Sequence, residues 1–256
     1  MQKPNIDSLR QKKAQEKLCM LTCYDYSFAA AVGEHVDLIL VGDSLGNVVL
    51  GHDRTKHVDM DDMLRHVAAV RRGAPHTFIV GDLPHGAYET PELAITNAER
   101  LLQAGADAVK PEGRPEIIRA LTDHGIEVMG HLGLLPQTAE QFGVVGREKD
   151  IADKLVKEAK AVEAAGAFSV VLEMVPVSLA QAITEQLQIL TIGIGSGKET
   201  DGQVLVLYDM LGLYPDFRPK FVRAYADLKS VITDAVKSFR DDTKTQRFPS
   251  DKESFV

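Results

Sequence analysis

Residues 101–112 read LLQAGADAVKPE and residues 162–173 read VEAAGAFSVVLE. The two stretches align without a gap. Each runs through a helix end, an Ala-Gly-Ala turn and an apolar strand to a glutamate. Val-Gly-Asp also occurs twice, at 41–43 and 80–82, each time closing an apolar run. A unit that repeats as helix, turn, strand and acid predicts parallel strands joined by helices, with acids at the strands' C-terminal ends.

The rest of the chain keeps this rhythm. Short apolar runs occur at 18–23, 37–42, 77–81, 107–110, 127–131, 168–174, 189–194 and 203–207. Helical spacing of apolar residues fills 60–72, 91–104, 115–123, 150–165 and 177–187. Thr90-Pro91 reads as a cap followed by proline at the first helical position. Gly73, Gly105, Gly125 and Gly166 stand where helices should stop. Eight strands in about 250 residues is the size of a (β/α)8 barrel, the TIM barrel of the α/β class. An open doubly wound sheet is the other arrangement considered, but the first strand leads into TCYDYS without its phosphate loop. No composition break divides the chain, so one barrel domain over 1–256 is expected. A long amphipathic helix is expected over Pro219–Arg240, and a polar tail over 241–256.

Composition excludes several partners. The chain has 256 residues, 29 Lys plus Arg against 37 Asp plus Glu, and a net charge of −8. It has no basic run, which argues against nucleic acid or an anionic membrane surface. No apolar run approaches the ~20 residues of a spanning helix, and the N-terminus lacks a signal-peptide core. Cys19 and Cys23 share one strand and sit roughly 13 Å apart, too far for a local disulfide. A cytoplasmic protein is expected.

In a barrel, the strand ends bring Asp43, Ser44, Asp82, Lys110, Glu112, His131 and Glu173 to one mouth. Clustered carboxylates repel unless a cation neutralises them. Oxygen ligands without thiolates suit Mg²⁺, and closely paired His or Cys ligands for zinc are missing. Lys110 then suits an anionic substrate. The alternative is a ring of salt bridges centred on Lys110. His131 is a pocket residue or a structural histidine on this evidence. Asp25 is a pocket wall or a helix cap, and GIGSG at 193–197 a phosphate loop or a set of tight turns.

The motifs TCYDYSFA, LVGDSLGNVVLGHD, GDLP, AGADAVKPEG, GHLGLLPQ, EAAGAFSVVLEMVP, TIGIGSG and DGQVLVL run in order along the chain. In them the sequence resembles the ketopantoate hydroxymethyltransferase family, of the phosphoenolpyruvate mutase/isocitrate lyase superfamily. The resemblance implies a (β/α)8 barrel that uses Mg²⁺ and 5,10-methylenetetrahydrofolate to hydroxymethylate 3-methyl-2-oxobutanoate through a Mg-stabilised enolate. It implies a step toward pantothenate and coenzyme A, and self-association as a homodecamer. It makes Asp43, Asp82 and Glu112 the metal ligands, Glu112 directly or through water. It sets Asp43, Ser44, Asp82, Lys110 and His131 around the 2-oxo acid, and makes Glu173 the catalytic acid/base. The chain departs from the family pattern at His85, Pro111, Arg114, Tyr208, Glu253 and in a shortened loop at 142–147. Two further readings are a related Mg²⁺ enzyme acting on another 2-oxo acid or with another donor, and a non-catalytic barrel scaffold.

Overall fold

The computed structural model describes residues 3–13, 15–214 and 219–255. These fall into two compact units, Met1–Val206 and Leu207–Val256.

The first unit is a barrel. After α1 (Ile6–Arg10), eight strands follow: β1 (Leu18–Thr22), β2 (Leu38–Val41), β3 (Phe78–Asp82), β4 (Ala108–Lys110), β5 (Met129–Gly133), β6 (Ser169–Glu173), β7 (Leu190–Ile194) and β8 (Gly202–Leu205). Between them run α2 (Tyr26–Val32), α3 (Leu45–Val48), α4 (Met60–Gly73), α5 (Pro91–Ala104), α6 (Pro115–Asp123), α7 (Lys149–Ala164) and α8 (Val177–Gln186). Neighbouring strands pair in parallel in the order β4-β3-β2-β1-β8-β7-β6-β5. A parallel bridge between Val109 and Val128 joins the two ends of that order. The expected (β/α)8 barrel is therefore the observed fold.

Local chemistry sets the element boundaries. The Thr90 side chain accepts from the Leu93 amide, with Pro91 opening α5, and Gly105 ends that helix at φ 117°. Glycine takes this left-handed conformation without steric cost. Asp25 caps α2 by accepting from the Phe28 amide, which settles its role as a cap. Inside the barrel, Met20, Leu38, Leu40, Phe78, Val80, Met129, Phe168, Val171, Leu190 and Ile192 form one buried cluster. Leu9 of α1 joins this cluster beside residues that open their strands, so α1 stoppers the N-terminal end. The core is thus a packed plug, and the opposite rim is left for chemistry.

The second unit holds α9 (Leu207–Met210) and α10 (Leu228–Lys244). The helix expected from Pro219 begins only at Leu228. Asp227 caps it by accepting from the Ser230 amide. Upstream, the Tyr225 and Leu228 amides donate to the Met210 and Leu211 carbonyls, which takes that stretch out of a helical hydrogen-bond pattern. Among the described residues no helix is long and apolar enough to cross a membrane.

Candidate active site

All seven residues singled out at the mouth lie at the C-terminal end of the barrel. Asp82 and Glu173 close β3 and β6, Lys110 closes β4, and His131 sits within β5. Asp43 and Ser44 follow β2, and Glu112 follows β4. Asp43, Asp82, Lys110, Glu112 and His131 are all buried. The glycine frame around His131 has a steric cause: a Cβ on Gly133, at φ 95°, would stand 2.1 Å from the Glu173 carbonyl. That close approach sets Gly133 opposite Glu173 in the β5–β6 register, two residues beyond His131.

Four acids share this space with one lysine and one histidine. The Asp43 amide donates to Asp82 Oδ2 at 3.0 Å, and Lys110 Nζ lies 2.9 Å from Asp82 Oδ1. His131 stands between two carboxylates, with Nδ1 3.5 Å from Glu112 Oε1 and Nε2 3.2 Å from Glu173 Oε2. Neither contact is an aligned hydrogen bond. Tyr24, fully buried behind the first strand, bonds Ser44 Oγ through its hydroxyl at 2.8 Å.

The charges distort one another. Burial, together with the charges of Asp82 and Glu112, pushes the Asp43 carboxyl up to about 7. Burial also raises Asp82, against the pull of Lys110. Burial would lower the Lys110 ammonium, but Asp82, Asp43 and Glu112 hold it above its ordinary value. Burial and Lys110 oppose a charge on His131, yet Glu112 and Glu173 carry it up to about 9. A buried carboxyl raised to about 7 marks a place where negative charge is poorly compensated.

That poor compensation is the test of whether a divalent ion fits. The available donors are carboxylate oxygens, which suit a hard cation. Among the described residues no three His, Cys, Asp or Glu side chains converge tightly enough to hold an ion alone. A hard ion such as Mg²⁺ is commonly held by one or two carboxylates and completes its shell with water and substrate, and Asp43 and Asp82 are the carboxylates that could serve it here. The salt-bridge alternative is present in part, since Lys110 rests on Asp82. His131 extends it to Glu112 and Glu173, which leaves Asp43 with the Gln137 amide rather than a cation as its partner.

Sequence reasoning missed two residues of this cluster, Tyr88 and Gln137. Both are buried. Gln137 donates from Nε2 to Asp43 Oδ2 at 2.8 Å, and Tyr88 donates to Gln137 Oε1 at 2.6 Å. The usable signal was position, since Gln137 lies on the loop that leaves the strand carrying His131.

The departures from the family pattern are also placed. Arg114 adopts φ 53°, a conformation that favours glycine. Its guanidinium offsets that strain by donating to the Tyr88 and Glu89 carbonyls and to Glu116. Arg114 and His85 line a cavity of about 320 Å³ that reaches Glu112. Gly195 and Gly197 take left-handed turns, while Ser196 between them is buried and tied to Val175 and Leu172. GIGSG thus forms tight turns at the end of β7.

A barrel that gathers its buried charged side chains at the C-terminal rim has the build of a (β/α)8 enzyme. The ketopantoate hydroxymethyltransferase family model matches residues 3–251. The 3-methyl-2-oxobutanoate hydroxymethyltransferase of Syntrophus aciditrophicus is 51% identical over 254 residues, covering 96% of this chain and 93% of that protein. That of Thermus thermophilus is 48% identical over 258 residues, covering 98% of each. In fold, the chain is similar to 2,3-dimethylmalate lyase, a PEP mutase/isocitrate lyase superfamily member, with a TM-score of 0.61 and 16% identity over 98% of this chain and 91% of that one. Phosphonopyruvate hydrolase, solved with oxalate and Mg²⁺, gives a TM-score of 0.62 at 12% identity, covering 99% and 93%. The chain belongs to the ketopantoate hydroxymethyltransferase family and is an enzyme.

Proposed function

We propose that this enzyme transfers a hydroxymethyl group from 5,10-methylenetetrahydrofolate to 3-methyl-2-oxobutanoate, giving ketopantoate for pantothenate and coenzyme A synthesis. The observation that carries the reading is the buried rim cluster, in which three carboxylates surround one lysine.

Asp43 and Asp82 would hold Mg²⁺, with Glu112 close by. Held there, such an ion would supply a Lewis acid for the 2-oxo acid's oxygens. The chain's own groups do the rest. Lys110 binds the substrate carboxylate, turning its ammonium from Asp82 toward the incoming anion. Ser44, held by Tyr24, adds a hydroxyl to the 2-oxo acid. His131 lines the pocket and faces Glu173 at 3.2 Å. Glu173 is less buried than its neighbours, with its side chain 18% exposed, and takes the C3 proton as the acid/base.

The relatives named 3-methyl-2-oxobutanoate hydroxymethyltransferase support the substrate. Self-association, a homodecamer by the family resemblance, is supported by α10, whose Val231, Ile232, Val236 and Phe239 are exposed. A cytoplasmic setting agrees with the free thiols of Cys19 and Cys23. A second reading keeps the metal chemistry but changes the one-carbon donor or the 2-oxo acid. It is favoured by His85 and Arg114, two departures from the family pattern that line the cavity beside Glu112.

The test is an assay of ketopantoate formation from 3-methyl-2-oxobutanoate. Product that requires both Mg²⁺ and methylenetetrahydrofolate is the expected result. Mg²⁺-dependent turnover of a different 2-oxo acid, without folate, would move the assignment to the second reading.

A further inference from the structure

Gln137 lies on the loop after β5 and is 2% exposed, yet it carries no charge and meets no solvent. Its side chain spends every polar atom on the site. Nε2 donates to Asp43 Oδ2 at 2.8 Å and to the Leu83 carbonyl at 3.0 Å. Oε1 accepts from the Tyr88 hydroxyl at 2.6 Å. Its backbone amide donates to Glu112 Oε2 at 3.2 Å. The Tyr88 oxygen in turn accepts from the Glu112 amide at 3.4 Å.

This network fixes which way the amide faces. Two of its neighbours, a carboxylate and a carbonyl, only accept, so the NH₂ must point at them and the oxygen at the Tyr88 hydroxyl. One residue therefore holds two carboxylates that arrive from different strands. Asp43 follows β2 and Glu112 follows β4, and Gln137 occupies one oxygen of each. Asp43 Oδ1 is left clear of this clamp. Without it, two buried acids that repel each other would have no reason to keep one geometry.

We infer that Gln137 is a positioning residue, which orients Asp43 and Glu112 for the divalent ion while Tyr88 holds its amide in place. The inference rests on reading Asp43 and Glu112 as ligands of that ion. A role of this kind shows itself in metal affinity rather than in folding. Outer partners of metal ligands are typically worth about 10- to 100-fold in affinity.

The experiment uses the full-length protein stripped of metal and titrated with Mn²⁺, with free Mn²⁺ followed by its electron paramagnetic resonance signal. Thermal melts of every variant are recorded alongside. Gln137→Met keeps the length of the side chain and removes the donor. It should bind Mn²⁺ about 10- to 100-fold more weakly than the parent while melting as a folded protein. Gln137→Asn keeps an amide but withdraws it by one methylene, and should lose as much. Tyr88→Phe leaves the amide in place but frees it to turn, and should weaken binding several-fold. Affinity within about two-fold of the parent in the Gln137 variants would overturn the inference. If those variants do not fold, unchanged affinity in Tyr88→Phe overturns it. A parent that takes up no Mn²⁺ overturns the metal reading itself, and is recognised because the parent fails before any variant is compared.

Discussion

The two ends of the barrel handle charge in opposite ways. At the N-terminal end, each buried or half-buried acid has a base against it. Lys12 pairs with Asp37 at 2.6 Å, Lys13 with Asp201 at 2.6 Å, and Arg71 with Asp107 at 2.6 Å. The same carboxylates also take backbone amides: Asp37 accepts from Cys19, Asp107 from Ile79 and Asp201 from Thr191. These pairs lace the starts of strands to the turn after α1 and to α4. At the C-terminal end, Asp43, Asp82 and Glu112 are buried around the single ammonium of Lys110. One end pairs its charges for stability, and the other gathers four acids against one lysine and one histidine. Imbalance of this kind is a cost to folding and marks a functional site.

The comparison breaks most sharply at the rim acids. Asp43→Ala and Asp82→Ala should each abolish turnover while leaving the melting temperature close to the parent's, since these acids serve the site rather than the core. Near-normal, Mg²⁺-dependent turnover in both variants would sink the assignment. Glu173→Gln keeps size and hydrogen bonding. It should still bind Mg²⁺ and 2-oxo acid, by calorimetry, while turnover falls about two to four decades, the usual worth of a general acid/base.

Lys110→Met should weaken 2-oxo acid binding by about one to two decades, or roughly 1.5–3 kcal/mol for a charge-assisted contact. It also removes the ammonium that faces Asp82, Asp43 and Glu112. The metal-free variant should therefore melt lower, and Mg²⁺ should restore it more than it does the parent. Lys13→Met, at the opposite end, should cost about 1–3 kcal/mol in denaturant unfolding and leave turnover unchanged. Loss of activity there would erase the distinction between the two ends.

The smallest effect is a pH slope. Asp43 is held near 7 when folded and has an ordinary value near 3.8 when unfolded. A raised acid binds its proton more tightly in the folded state. Its contribution to stability is complete below the unfolded value and is lost as pH rises through 7. The metal-free parent should lose melting temperature between pH 4 and 8, and Asp43→Asn should flatten that loss. An identical slope in both proteins would contradict the assignment of the strain to Asp43.

Most of the fold was legible because strand and helix periods are local. The apolar runs ended in acids at Asp82 and Glu173, and the structure sets both at strand ends. The start of α10 was not legible. Periodicity carried it back to Pro219, but the amides at Tyr225 and Leu228 found carbonyl partners at Met210 and Leu211. Such competition cannot be read from one segment. Charged site residues announced themselves because burying charge needs a reason. Gln137 and Tyr88 did not, since neutral polar residues are common in loops. Their part depends on hydrogen bonds that span 94 and 49 residues of chain.

The most direct measurement follows the C3 proton of 3-methyl-2-oxobutanoate by NMR in heavy water. With enzyme and Mg²⁺ alone, the C3–H signal should fade and the methyl doublet collapse, and chelation or Asp43→Ala should stop both. Methylenetetrahydrofolate added to the same tube should then yield ketopantoate. No exchange, no product and no Mg²⁺ uptake would together contradict the account and leave a barrel without this chemistry.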